Sequence, residues 1–167
     1  MDILSKLKFL ENTPEFKEWN KTHKTHYLAH AFKLLDDANK NIWQIGYYNK
    51  ESDTITTFIL EEGKDIKIIP DLEVFKQEKD IIKKLEISKI KIDPQEALDI
   101  AEDFLKKEYT AEIPVKTILI LQTIEQGQVY NISFIIQSIG VINLKISSEN
   151  GKVLEHKKIS MSEFKAG

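Results

Sequence analysis

The chain contains no cysteine. Disulfides, thiol nucleophiles, zinc ribbons and iron–sulfur clusters are therefore excluded. It contains no arginine either, since all 24 basic residues are lysine. Lysine cannot copy the planar guanidinium fork that clamps phosphates and guanine edges. With a net charge of -3, that absence argues against a dedicated nucleic-acid binder. Long apolar runs are missing as well. Ile3, Leu4, Leu7 and Leu10 are interrupted by Ser5, Lys6 and Lys8, which is an amphipathic helix rather than a signal peptide. No stretch is long enough to span a bilayer. The expectation is a cytoplasmic protein with no membrane contact.

What remains is ordinary globular material. The 167 residues are 41% hydrophobic and 31% charged, the balance of a folded chain. A chain this long buries roughly 70% of its unfolded surface and needs no covalent staple. The first third reads helical. A helix over 2–11 is followed by Thr13-Pro14, an N-cap with proline at the first helical position. Phe16 and Trp19 then share a face. A further helix is expected over 25–37, with Leu28, Ala31, Phe32, Leu34 and Leu35 as its stripe. At Ile42 the period switches to two. Trp43, Ile45 and Tyr47 alternate with Gln44, Gly46 and Tyr48. Strands are expected over 54–61 and 65–69, the latter ended by Pro70, with a weak edge strand at 72–75 and a lysine-rich connector over 76–92.

Asp93-Pro94-Gln95-Glu96 opens the second half with an N-cap carboxylate, proline at N1 and glutamate at N3. Ala97, Leu98, Ile100, Ala101, Phe104 and Leu105 give that helix one broad apolar face. Strands follow over 115–122, 128–137, 140–148 and 152–159, the last pair joined at Asn150-Gly151. The expected fold is α+β: tandem helix-on-antiparallel-sheet units with a helical N-terminal prefix, divided into 1–90 and 91–167. Both halves read as capped helix then meander, which suits an internal duplication but also any two units of that kind.

The stretch Asp93–Ala101, the strand Val129–Phe134, and Ile142–Ile146 with Asn150-Gly151-Lys152-Val153-Leu154 together resemble the PepSY domain family. The likeness covers 93–157, and Ser147 stands where an acidic residue is common before the final turn. Two such units in tandem are similar to the architecture of the bacterial β-lactamase inhibitor protein. The resemblance implies one helix on a curved antiparallel sheet. It also implies a non-catalytic module, in some relatives a binder or inhibitor of a peptidase.

The residues themselves recommend no enzyme. Gly63-Lys64 and Gly151-Lys152 lack phosphate-loop spacing, and there is no Gly-x-Ser-x-Gly elbow. His23, His26 and His30 would share a helical face, which makes His26 and His30 weak metal candidates. Three ligands on one straight helix cannot close a tetrahedron, however, and solvated histidines are the plainer reading. Asp36-Asp37 reads as a helix end. On the sheet, Tyr130, Ile132, Phe134, Ile142, Leu144 and Ile146 point to the core. Gln44, Tyr48, Asn131, Ser133, Asn143 and Lys145 point away, forming either a solvated face or a docking face with Tyr48 as anchor. The expected function is a non-enzymatic protein- or peptide-binding module, a peptidase regulator or inhibitor by resemblance, with no cofactor. The alternative is a small-molecule or metal-binding protein with a pocket near the N-terminal helices.

Overall fold

A computed structural model describes residues 2–74 and 81–161. Chain order is α1 (Ile3–Asn12), α2 (Pro14–Thr22), β1 (Tyr27–Leu35), β2 (Ile42–Asn49), β3 (Thr54–Glu61), β4 (Lys67–Glu73), a 3-10 turn (Ile87–Lys89), α3 (Pro94–Glu108), β5 (Pro114–Ile124), β6 (Gly127–Ile136), β7 (Gly140–Ser147) and β8 (Val153–Ser160). The fold is α+β. All eight strands form one antiparallel sheet in the order β4-β3-β2-β1-β5-β6-β7-β8. Two four-stranded meanders therefore join where β1 pairs with β5.

Local chemistry starts each helix. The Asp2 carboxylate accepts from the Leu4 and Ser5 amides at 3.0 and 3.3 Å. Thr13 ends α1 and begins α2. Its hydroxyl donates to the Leu10 carbonyl at 2.7 Å and accepts from the Phe16 amide at 3.3 Å. Asp93 caps α3 by accepting from the Gln95 amide at 2.8 Å. Ile3, Leu7 and Leu10 from α1, Phe16 and Trp19 from α2, and Ala97, Ala101 and Leu105 from α3 all enter one hydrophobic cluster. The cluster also takes Trp43, Ile45, Tyr47 and Phe58, and Tyr130, Ile132 and Phe134. Ala31 pairs with both Ile45 and Leu121, and Leu121 pairs with Tyr130. The inward rows of both meanders therefore lie on the same side, so among the described residues every helix covers one face and none covers the other.

Two expectations fail. The segment expected as a helix over 25–37 is β1, a central strand. Its apolar spacing imitates a helix because a bulge at Ala29 shifts the register between Leu28 and His30. Both faces of the strand are also partly apolar between two neighbours. Asp36-Asp37 would have met the negative end of a helix dipole. Asp36 instead closes the β1–β2 turn, accepting from the Asn39 amide at 2.8 Å and from its side chain at 2.7 Å. Pro70 does not end a strand. It sits inside β4, whose outer edge needs no N–H there. The weak 72–75 strand is the end of β4, apart from residue 75, which with 76–80 lies outside the described residues. The opposite edge, β8, carries a register shift at Leu154 as well as Lys157 and Lys158, devices that discourage edge-to-edge pairing. The Asn150-Gly151 hairpin forms, but with a longer loop than a two-residue turn: the Gly151 amide donates to the Ser147 carbonyl at 3.0 Å and Gly151 takes φ +72°.

The connector is tied down firmly. The Leu85 amide donates to the Leu28 carbonyl at 2.8 Å, and Leu85 is buried in the core. Tyr27 donates to the Ile82 carbonyl at 2.5 Å, and Thr123 to the Lys84 carbonyl at 2.9 Å. Buried Gln128 accepts from the Glu86 amide at 2.8 Å and donates to the Ser148 hydroxyl at 3.2 Å. That hydroxyl donates onward to the Lys89 carbonyl at 2.8 Å.

Candidate binding face

The uncovered face is built from transverse rows of side chains set by strand register. One row runs Lys67, Ile59, Gln44, Phe32, Ile120, Asn131, Lys145, Glu155 across all eight strands. The next runs Ile69, Thr57, Gly46, His30, Gln122, Val129, Ser147. Phe32, Ile59, Ile120, Ile118 and Leu34 are half-buried by their sheet neighbours alone. The centre of this face is thus apolar and its β6–β8 side is polar.

The sequence-expected site residues divide sharply. Asn131, Ser133, Asn143 and Lys145 come together on β6 and β7 but already satisfy one another. The Asn143 amide donates to Asn131 at 2.5 Å and to Ser133 at 2.9 Å, and Lys145 pairs with Glu155 at 2.9 Å. Gln44 lies three strands from Asn131 in the same row, roughly 14 Å away at the usual strand spacing. Tyr48 faces the uncovered side as its parity requires, yet it is only 3% exposed. Its ring packs edge-on against Tyr27 at 5.5 Å and its hydroxyl donates to Asp53 at 2.5 Å. It is a buried structural tyrosine, and the anchor role expected of it does not stand.

His26 and His30 do not share a face. His26 packs against Trp19 at 5.1 Å and His23 at 5.0 Å, while His23 stacks on Trp19 at 4.6 Å. Those rings belong to the helix-covered side. His30 points the other way because β1 is a strand and the bulge sets its parity. The common helical stripe that made the two histidines metal candidates is therefore gone. Among the described residues no group of three or more potential metal ligands gathers. No helix among them is long and apolar enough to cross a membrane.

His30 instead lies flat on Gly46. A β-carbon at Gly46 would stand 2.3 Å from the His30 ring carbon Cε1 and 2.7 and 2.8 Å from its two nitrogens. Glycine leaves the ring a seat, and the ring shields the bare backbone, a cross-strand device known to steady glycine in sheets. Burial holds the imidazole below its ordinary pKa of 6.5. Among the described residues neither His30 nor its cross-strand neighbour Gln122 has a side-chain hydrogen-bond partner.

No protein-family model matches the chain, and no curated protein matches it. A solved structure of similar fold is a candidate lipoprotein from Clostridium difficile 630, with a TM-score of 0.55 and 19% sequence identity over 87% of this chain and 90% of that one. At that identity the likeness shows the fold alone.

His30 and Gln122 lie in a cleft of about 1040 Å³ on the uncovered face. Ile55 and Leu72 form one wall and Ile124 and Thr123 the other, while Ile81 and Ile82 of the connector flank it. Leu72 is 47% exposed and Ile81 74%. Sequence reasoning missed this cleft. The only available signal was the alternation Tyr27, His30, Phe32, Leu34, which the bulge disguises.

Proposed function

We propose that the chain is a non-enzymatic binding module that holds an extended peptide segment of another protein in the cleft on its uncovered sheet face. The observation that carries this reading is a cleft of about 1040 Å³ with apolar walls in which, among the described residues, the His30 imidazole and the Gln122 amide have no side-chain hydrogen-bond partner, with Glu73, Lys83, Thr123 and Glu125 as its further polar members. Pockets for small ligands usually span roughly 300–1,000 Å³ and converge on several polar groups. This one is at the upper limit and open to solvent, and its charged members Glu73, Lys83 and Glu125 are exposed. An extended peptide supplies apolar side chains for the walls and backbone N–H and C=O groups for His30 and Gln122. The PepSY resemblance and the pair of helix-on-meander units add the class of role to test, regulation or inhibition of a peptidase. The expected cytoplasmic location belongs to the same proposal. Since the structural neighbour is a candidate lipoprotein, fractionation of cells expressing the natural gene is the appropriate check.

The test is selection of peptides from a displayed library against the immobilised chain, followed by affinity measurement. Leu72→Glu and Ile81→Glu place charge on exposed cleft walls without disturbing the core. Each is expected to weaken the selected peptides at least tenfold, whereas Phe9→Glu, at a 58% exposed position on α1, leaves affinity unchanged. Peptides insensitive to both cleft substitutions would overturn the proposal.

A further inference from the structure

Lys33 is the least expected residue in the fold. Strand parity places it on the helix-covered side of β1, opposite Leu119. It is only 5% exposed. Its ammonium lies 4.9 Å from the centre of the Trp43 ring. No carboxylate among the described residues pairs with it, and burial together with nearby Lys6 holds its pKa below the usual 10.5. The stem is enclosed while the ammonium itself still meets solvent, and a partly desolvated cation with no counter-charge favours an anionic partner.

The ammonium borders a second opening, a cleft of about 360 Å³ on the opposite side of the sheet from His30. Lys6 and Lys40 line it with Lys33, beside Asn41 and Gln95. Two helix N-termini reach it, through the α1 cap Asp2 and through Gln95 in the first turn of α3. Helix N-termini favour anions, although the Asp2 and Asp93 carboxylates already accept from the first amides of these two. Two carboxylates also line the cleft, those of Asp2 and Glu62. The Asp2 carboxylate is committed to the Leu4 and Ser5 amides and the Ser5 hydroxyl. Glu62 sits exposed in the β3–β4 turn.

We propose that this cleft is a binding site for a small phosphate-bearing anion, with Lys33 as its central counter-charge and Lys6 and Lys40, the latter loosely paired with Asp37 at 3.8 Å, at its rim. The anion neutralises the unpaired ammonium, and Trp43 holds the lysine stem in place. Asn41 supplies a neutral donor, and the Gln95 amide, which already donates to Asp99 at 2.9 Å, has one further N–H to offer. Lysine serves here as a point charge, a role that does not need arginine's fork. The site is independent of the peptide cleft, since the sheet separates them and they share no residue.

The test is calorimetric titration of the full chain with inorganic pyrophosphate, and separately inorganic phosphate, at constant ionic strength set with chloride. Saturable one-site binding is expected. Lys33→Met keeps the stem on Trp43 and removes a partly desolvated charge that has no carboxylate partner, so it stays folded and loses binding tenfold or more. Glu62→Gln removes a repelling carboxylate and tightens binding. Lys64→Met, at a surface lysine paired with Glu61 at 2.7 Å, controls for general charge and leaves binding unchanged. Absence of saturable binding overturns the proposal. Equal loss in Lys64→Met and Lys33→Met, or an unchanged affinity in a folded Lys33→Met protein, also overturns it.

Discussion

Replacing Gly46 with alanine adds one methyl group in the middle of β2, and the structure places that methyl inside the His30 ring. All three of the ring atoms nearest to it, at 2.3, 2.7 and 2.8 Å, lie closer than real contacts allow. The ring must swing outward into the cleft or β1 must shift between its two neighbours. Gly46 does not have a positive φ, so the backbone itself accepts alanine and the cost is steric. Overpacking of this kind costs about 1–3 kcal/mol. Relieving the conformational freedom of glycine in the unfolded chain returns roughly 0.5–1 kcal/mol. The net expectation is a loss of about 0–2.5 kcal/mol, or a fall in Tm of up to roughly 10 °C for a chain of this size. The decisive assay is a double-mutant cycle by urea denaturation with His30→Ala. In that background the methyl has space, so Gly46→Ala becomes neutral or stabilising, and the coupling falls within the ~0.5–3 kcal/mol seen for touching residues. Equal destabilisation by Gly46→Ala with and without the imidazole would show that the ring does not occupy this seat.

His30 also makes stability depend on pH. Its folded pKa lies below the unfolded value of 6.5, so the unfolded chain binds the proton more readily. Stability from this residue is complete above 6.5 and falls as pH drops below it. Changing His30→Phe keeps a ring on Gly46 and should flatten the decline between pH 7 and 5 in chemical melts; an unaltered slope would refute this. Gln128→Ala orphans the Glu86 amide, at about 1–3 kcal/mol, and takes one donor from the Ser148 hydroxyl, which keeps its bond to the Lys89 carbonyl. Hydrogen exchange at residues 86–92 should then rise more than in the β6–β7 ladder. Tyr48→Phe removes the bond to Asp53 and should cost about 0.5–1.5 kcal/mol. It should leave peptide affinity intact, because the residue is buried beside the cleft rather than in it.

Much of the second half was legible before any coordinates. Asp93-Pro94 starts α3, and the alternation of Tyr130, Ile132 and Phe134 against Asn131 and Ser133 assigns the faces of β6 correctly. The same parity sends Gln44 and Tyr48 to the uncovered side. Parity gives direction and not exposure, however, and Tyr48 is enclosed by Tyr27, a residue far from it in sequence but paired with it in register. The candidate sites were largely illegible because they depend on β1. A single bulge residue, Ala29, breaks the period-two pattern and lets Tyr27–Leu35 pass for a helix. Under that reading His30 joins His26, and Lys33 falls on a solvated flank.

The sequence by itself determined the starts of α1, α2 and α3, the turns and the inward rows of β2, β6 and β7, because capping, turn chemistry and side-chain alternation are local. It also determined the chemical vocabulary: lysine as the basic residue and no thiol. Only the tertiary structure decided that β1 would pair with β5 and carry one sheet across the whole molecule. That pairing depends on two strands more than eighty residues apart finding a common register. With it came the seat of His30 on Gly46, the burial of Lys33 beneath the helices, and the two clefts on opposite faces, since each requires side chains from segments that no local rule brings together.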